Sequence, residues 1–327
     1  MTWLVLLTIT ASLVALLCLG LAWEIVQILR ARVAAFPRTI HVGSTVLADD
    51  LAPTIPKIIW TYWHQTPAPE FIRHCHNNWR HFAPDHELHV IDKSSITDWL
   101  DAQLITDQFA QLTPFRQADW LRLQLLARYG GIWIDASTLL TQSLDWVHHL
   151  QAERGSEFVG FYIDRFTTCQ ETPIVENWFM AATPQSPFVV ALAQEFGLAL
   201  HLGESHYLEK LQAIGQFEQA VQGLGPKDQL YLIMHVAASV ILSHNPLHFR
   251  LALVRAEDSA LGFHAALKWR KRHLYARLAL TPCPRNLPCI IKLRGGDRRI
   301  FERGWTRNWV LKTSALARLL AARELDS

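Results

Sequence analysis

The chain has no charged residue from Thr2 to Trp23, a run dominated by Leu, Val, Ala and Trp. As a helix it is long enough to cross the roughly 30 Å hydrocarbon core of a bilayer. No basic residue precedes it, and it exceeds the about 7–15 residues of a signal-peptide core, so it reads as a single transmembrane anchor rather than a cleaved leader. Arg30, Arg32 and Arg38 follow closely. The positive-inside rule then expects the bulk of the chain in the cytoplasm, on the inner membrane. Cysteine is also short of what a disulfide framework needs. Cys18, Cys75, Cys169, Cys283 and Cys289 are odd in number and scattered, and one lies in the apolar run, which suits reduced thiols. No internal repeat or low-complexity tract is visible.

Acidic residues are scarce at one end. From Ala265 to Ser327 there are 15 Lys and Arg against 4 Asp and Glu, net +11, leaving 16 against 25, net −9, for the residues before. Beside an anchor, such a basic segment points to membrane lipid or lipid-linked phosphate, and no nucleic-acid partner is expected. Leu267 to Leu280 is predicted to be a basic amphipathic helix. Lys268, Arg270, Lys271, Arg272 and Arg277 would reach phosphate, while Trp269, Tyr275 and Leu278 face the acyl boundary or the domain.

The expected division is an anchor at 1–29, a juxtamembrane linker at 30–54, a main domain at 55–300 and a basic helical tail at 301–327. Within the main domain, Lys57 to Tyr62 is predicted as a strand, Pro69 to Phe82 as a helix and Glu87 to Ile91 as a strand. Ser94 and Ser95 would cap a helix running to Leu100. Apolar strands are expected at Gly131 to Ile134 and Phe158 to Ile163. Strands alternating with helices imply an α/β fold with a mainly parallel sheet. Beyond Pro173 helices are expected at Ile174 to Ala182, Pro187 to His201, Tyr207 to Gly223 and Lys227 to Leu242.

The richest stretch is Phe115 to Ser137. Thr113 is a good N-cap, Pro114 suits the first helical position, Leu121, Leu125 and Leu126 form an apolar stripe, and Gly130 ends the helix. Asp119 and Arg122 are three apart and share a helix face, where a carboxylate beside a guanidinium can hold a ribose hydroxyl and a phosphate together. The strand that follows is apolar on both faces, hence central, and delivers Asp135 at its carboxyl end, where open α/β sheets bind ligands. Asp228, Tyr231 and His235 stand at helical spacing after Gly225-Pro226. They could face a cleft or belong to a capped amphipathic helix. His74 and His76, two apart on a helix, point to different faces and make no zinc pair.

This pattern resembles the DXD-type sugar-transfer glycosyltransferases, most closely their capsular polysaccharide synthesis branch. Further matches are Ile55-Pro-Lys-Ile-Ile-Trp60 with Trp63-His-Gln65, Trp79 and Pro84 before Leu88 to Asp92, Asn177-Trp-Phe-Met-Ala-Ala182, and Tyr231 to His235. The resemblance implies a glycosyltransferase type A, Rossmann-like nucleotide-sugar domain with helical additions over 55–300. It implies a hexosyltransferase-like enzyme that retains configuration and moves sugar from a nucleoside diphosphate donor to a capsular polysaccharide or its lipid-linked precursor. Asp135, Asp119 and Arg122 would be catalytic. Trp60, Asp119, Arg122 and Lys292 would bind the donor, with Trp60 stacked on the base and Lys292 on the diphosphate. Asp135 matches the first aspartate of the metal-binding motif, but Ser137 stands at the second acidic position. A hydroxyl is a weaker ligand for Mn²⁺ or Mg²⁺, so metal use is left open between Asp135 with Ser137 and cationic side chains. A sugar phosphotransferase and a non-catalytic nucleotide-sugar-binding subunit remain alternatives.

Overall fold

The computed structural model describes residues 2–44 and 53–321. The first element, α1 (Thr2–Arg30), is one unbroken helix of 29 residues, about 43 Å long at 1.5 Å per residue. It is exposed along most of its length, and among the described residues it is the one helix long and apolar enough to cross a membrane. Its C-terminal end docks on the rest of the chain. Glu24 accepts hydrogen bonds from Arg270 and His273, and Ala31 O accepts one from Arg277 Nε at 3.3 Å.

There follow β1 (Thr39–Gly43), β2 (Ile58–Tyr62), α2 (Glu70–Phe82), β3 (Glu87–Ile91), α3 (Asp107–Gln111), α4 (Pro114–Tyr129) and β4 (Gly131–Ile134). Next come β5 (Thr138–Leu140), α5 (Asp145–Arg154), β6 (Phe158–Tyr162) and β7 (Val175–Ala182). The helical half holds α6 (Pro187–Leu202), α7 (Glu204–Ala213), α8 (Phe217–Val221), α9 (Pro226–Tyr231) and α10 (Ile233–His244), then returns to the sheet with β8 (Arg250–Arg255). The chain ends in α11 (Gly262–Ala266), α12 (Lys271–Tyr275), β9 (Ile290–Lys292), α13 (Gly295–Thr306) and α14 (Ala315–Leu320).

Seven strands form one sheet in the order β1-β8-β6-β7-β4-β2-β3, and β5 pairs with β9 in a small second sheet. The α/β class is as expected, but the main sheet is mixed rather than mainly parallel. β2–β3, β2–β4 and β6–β8 are parallel, whereas β1–β8, β4–β7 and β6–β7 are antiparallel. The main departure is Ile174 to Ala182, expected as a helix and found as the strand β7 between β4 and β6. All but one of its residues are buried. A strand covered on both faces shows no alternation, so periodicity does not distinguish it from a buried helix.

Smaller departures have local causes. The stretch 207–223 is broken around Gly215, whose φ is +71°, and 227–242 is two helices meeting at Leu232. The expected helix after Ser95 is a single 3₁₀ turn, Ile96–Asp98. The segment 30–54, expected as a linker, supplies edge strand β1, and α13 runs through the expected boundary at 300. Leu267 to Leu280 is not one helix either. Lys268 and Trp269 both have positive φ, 53° and 60°, which separates α11 from α12 before the chain continues as a π-turn over Ala276–Leu280.

Two apolar clusters hold the molecule together. One fills both faces of the main sheet, including Trp60, Trp133 and Phe179. The other joins α2, the π-turn, α13, α14 and β9, with Ala31, just after α1, in it and Ile28 of α1 packed against it.

Candidate functional site

α4 and β4 fold as the local chemistry dictates. Thr113 Oγ1 accepts from Arg116 N, Pro114 opens the helix, and Gly130 N closes it on Leu126 O at 2.9 Å. Gly130 has φ +65°, and a Cβ there would lie 2.6 Å from Pro184 N, so the turn into β4 requires glycine. β4 is fully buried and central. Asp135 emerges at its end, its amide bonded to Trp178 O of β7 at 2.9 Å.

Asp135 lies in a cleft of about 350 Å³ that Lys292, Glu176, Trp178, Trp269 and Arg165 also line. Lys292 Nζ donates to Asp135 Oδ2 at 2.7 Å. Topology explains this meeting of distant residues: β5 begins just after Asp135 and pairs antiparallel with β9, with Thr138 opposite Lys292. Ser137 fastens that junction, its Oγ donating to Leu293 O at 2.8 Å while Leu293 N donates to Ser137 O at 3.2 Å.

Behind Asp135 stands a buried charged layer. Arg122 NH2 is 3.4 Å from Asp135 Oδ1 and 3.0 Å from Asp119 Oδ1. Asp119 Oδ2 accepts from Arg116 NH1 at 2.9 Å, and its Oδ1 accepts from Asn177 Nδ2 at 3.0 Å. Arg122 also donates to Asn177 O and lies over the Trp133 ring, 4.9 Å from its centroid. The two carboxylates that share Arg122 are pushed apart. Burial raises the Asp119 carboxyl above its ordinary value, against Arg122 and Arg116. Burial acts upward on Asp135 too, but Lys292 and then Arg122 reverse it and hold that carboxyl below the usual range.

The expected residues divide accordingly. Asp119, Arg122, Asp135 and Lys292 converge. Asp135 and Lys292 reach the cleft, whereas Asp119 and Arg122 are 0% and 3% exposed and lie beneath its wall, Arg122 touching Asp135 from behind. Trp60 does not fit its expected stacking role. It is fully buried, its Nε1 donates to Gly130 O at 2.9 Å, and its ring packs among His89, Trp99 and Tyr129. It is a core tryptophan that braces the α4–β4 turn.

A resident Mn²⁺ or Mg²⁺ does not fit the strand end. Both Asp135 oxygens are engaged by Lys292, Trp133 and Arg122, the Ser137 hydroxyl is turned to Leu293 O, and no group of three acidic, His or Cys side chains forms a cation site among the described residues. Positive charge at this strand end comes from Lys292 and Arg122.

Asp228, Tyr231 and His235 all line the cleft, although the helix breaks between the last two. His235 Nε2 lies 3.3 Å from Glu176 Oε2. Sequence reasoning passed over Glu176, beside the quoted Asn177 motif, and Arg165. It assigned Trp269 to a membrane or domain face. Trp269 faces the domain, packed against the main core, and the consecutive positive φ values at Lys268 and Trp269 bring its ring to the cleft, where Arg165 and Arg294 lie 4.5 and 5.1 Å from its centroid. Strained backbone of this kind persists where its surroundings over-determine it, often at ligand sites.

The strand-end carboxylate is paired with a lysine and backed by a buried Asp–Arg pair. Residues 44–198 match the capsular polysaccharide synthesis protein family. The matched span of this family carries Asp119, Arg122, Asp135 and Glu176, while Lys292 lies beyond it. A curated relative, the O-glycosyltransferase braB of Annulohypoxylon truncatum, is 28% identical over 153 residues, covering 42% of this chain and 36% of that protein. The chain thus spans about a third of that relative's length. Two solved structures align over most of the chain at low similarity. The PaToxG glycosyltransferase is 14% identical with a TM-score of 0.38, over 82% of this chain and 88% of that one. The UDP-bound glycosyltransferase domain of the YGT toxin is 9% identical with a TM-score of 0.39, over 84% and 95%.

Proposed function

We propose that the chain is a membrane-anchored, cytoplasm-facing glycosyltransferase that moves a sugar from a nucleoside diphosphate donor to a surface polysaccharide or its lipid-linked precursor. The observation that carries this reading is the Asp135–Lys292 pair in the cleft, backed by Arg122 and Asp119. The leaving group of such a reaction is a diphosphate, and preorganised cations facing the developing charge are worth most in a partly enclosed site. Lys292 would face the diphosphate, with Asp135 fixing the ammonium against the Trp178 ring. The Arg165 guanidinium, stacked on Phe166 and Trp269, has no acidic partner among the described residues and is available to the same charge. The glycosidic carbon–oxygen bond to the diphosphate breaks and its electron pair leaves on the nucleoside diphosphate. The acceptor oxygen bonds to the anomeric carbon, and its proton goes to solvent or the departing phosphate. Retention of configuration is carried over from the resemblance.

The test is incubation of the full chain in detergent with a panel of labelled nucleotide sugars and glycan acceptors. Sugar transfer, or slow donor hydrolysis, supports the proposal. Transfer of a phosphorylated sugar would replace it with a phosphotransferase, and binding without turnover with a donor-binding subunit.

A further inference from the structure

A second recess, of about 530 Å³, opens beside the cleft. Tyr231, Arg294 and Gly295 line both, while Lys271, Arg298 and Arg299 belong to the recess alone. The acid on its wall, Asp297, is 1% exposed and already engaged by His264 at 2.9 Å and Arg294 Nε at 2.8 Å. Arg298 is paired with Glu302 at 2.9 Å. Lys271 and Arg299 are exposed and have no acidic partner among the described residues. Lys271 from α12 and Arg299 from α13 both line the recess, and α13 presents its N-terminal turn, Gly295 and Gly296, to the same space.

The position of the recess narrows the choice of anion. Lys271 begins the helix whose neighbours Arg270 and His273 clasp Glu24 near the end of the apolar α1. A ligand with a phosphate in the recess would therefore have an apolar helix within reach for an apolar tail. A phosphate-bearing acceptor must also bring its hydroxyl to the donor sugar without placing its own phosphate against the donor diphosphate. Two separate cation sets, joined at Tyr231 and Arg294, meet that need.

We propose that this recess binds the phosphate of a lipid-borne acceptor, Lys271 and Arg299 supplying the charge; the acceptor role rests on the glycosyltransferase reading above. The test is calorimetric titration of the full chain in a neutral detergent with farnesyl diphosphate, comparing wild type, the Lys271→Gln/Arg299→Gln double variant and Lys292→Gln. Both double-variant positions are exposed, so the fold should survive. The double variant should weaken binding by on the order of tenfold or more, the scale for two cations facing phosphate, and Lys292→Gln should leave it unchanged. Loss that follows Lys292, or no loss in the double variant, overturns the proposal. Inorganic diphosphate binding as tightly as farnesyl diphosphate would make the source a free phosphate and overturn the lipid assignment. So would binding to phosphatidylglycerol vesicles, lost in the double variant, without farnesyl diphosphate binding, which would make the patch a headgroup surface. If no nucleotide sugar supports transfer, the glycosyltransferase reading fails while this binding measurement still decides the site. Where transfer is seen, the double variant should lose it to lipid-phosphate acceptors but hydrolyse donor at the wild-type rate.

Discussion

Lys292 Nζ sits 2.7 Å from Asp135 Oδ2, a contact between residues 157 positions apart. The carboxylate pins the ammonium over Trp178, and the ammonium, with Arg122 behind it, holds the carboxyl below its usual range. Removing the carboxylate leaves Lys292 with no acidic partner among the described residues, whereas removing the ammonium leaves Asp135 with Arg122 and Trp133.

Asp135→Asn keeps the size of the side chain and removes its charge. Transfer should fall by at least the roughly 10²-fold typical of one electrostatic group at a reacting centre, with the fold retained by circular dichroism. Activity within a few-fold of wild type would remove Asp135 from the mechanism.

The pH dependence of stability has a definite sign. Because the folded-state pKa of Asp135 is held below its unfolded value, its stabilising contribution is complete above the ordinary carboxylate value. It disappears as pH falls through the lowered one. Wild type and Asp135→Asn should therefore differ most near neutrality in urea unfolding and converge in acid. A gap that widens on acidification would contradict the ion pair.

Asp119→Ala removes one of two acidic partners from each of two buried guanidinium groups: Arg116 keeps Glu204 at 2.6 Å and Arg122 keeps Asp135 at 3.4 Å, and their side chains are only 6% and 4% exposed. Leaving a buried charge wholly unpaired costs about 3–5 kcal/mol, so the loss here should be smaller, with unfolding at lower denaturant than wild type. Asp119→Asn, which keeps hydrogen-bonding capacity, should lose less. Equal stability of both variants and wild type would show that the buried layer is not what holds Arg122.

Ser137→Asp restores the acidic residue that the resemblance would place there, yet the position faces Leu293 O rather than the cleft. The outcome expected is lower stability, because a buried carboxylate beside a carbonyl oxygen has no donor. No gain in Mn²⁺ affinity should appear in calorimetry. Tighter Mn²⁺ binding would mean that the strand end reopens as a metal site.

What the sequence revealed depended on how local the signal was. The cap, stripe and glycine stop of α4 and the apolar strand leading to Asp135 are encoded within a few residues of each other, and the structure reproduces them. β7 does not read as a strand because its partners lie on either side of it in space and it is buried on both faces, so Glu176 and Asn177 are not part of any alternation. Trp60 sits mid-strand in β2 with its ring among packed aromatics, and no local pattern separates that from a ligand-facing ring. Trp269 escaped because its placement depends on two backbone angles that neither Lys268 nor Trp269 favours by type. The resemblance, not any spacing, nominated Lys292, and the β5–β9 pairing explains why it arrives beside Asp135.

Edge strand β1 has a practical consequence for preparing the protein without its apolar helix. β1 covers β8 residue by residue, from Thr39 opposite Val254 to Gly43 opposite Arg250. A truncated chain starting beyond residue 44 would lay bare the hydrogen-bonding edge of a strand that carries Leu251 and Leu253, an open template for pairing with another copy. Cutting instead in the short stretch between α1 and Thr39 removes the apolar helix and keeps β8 covered by its short edge strand.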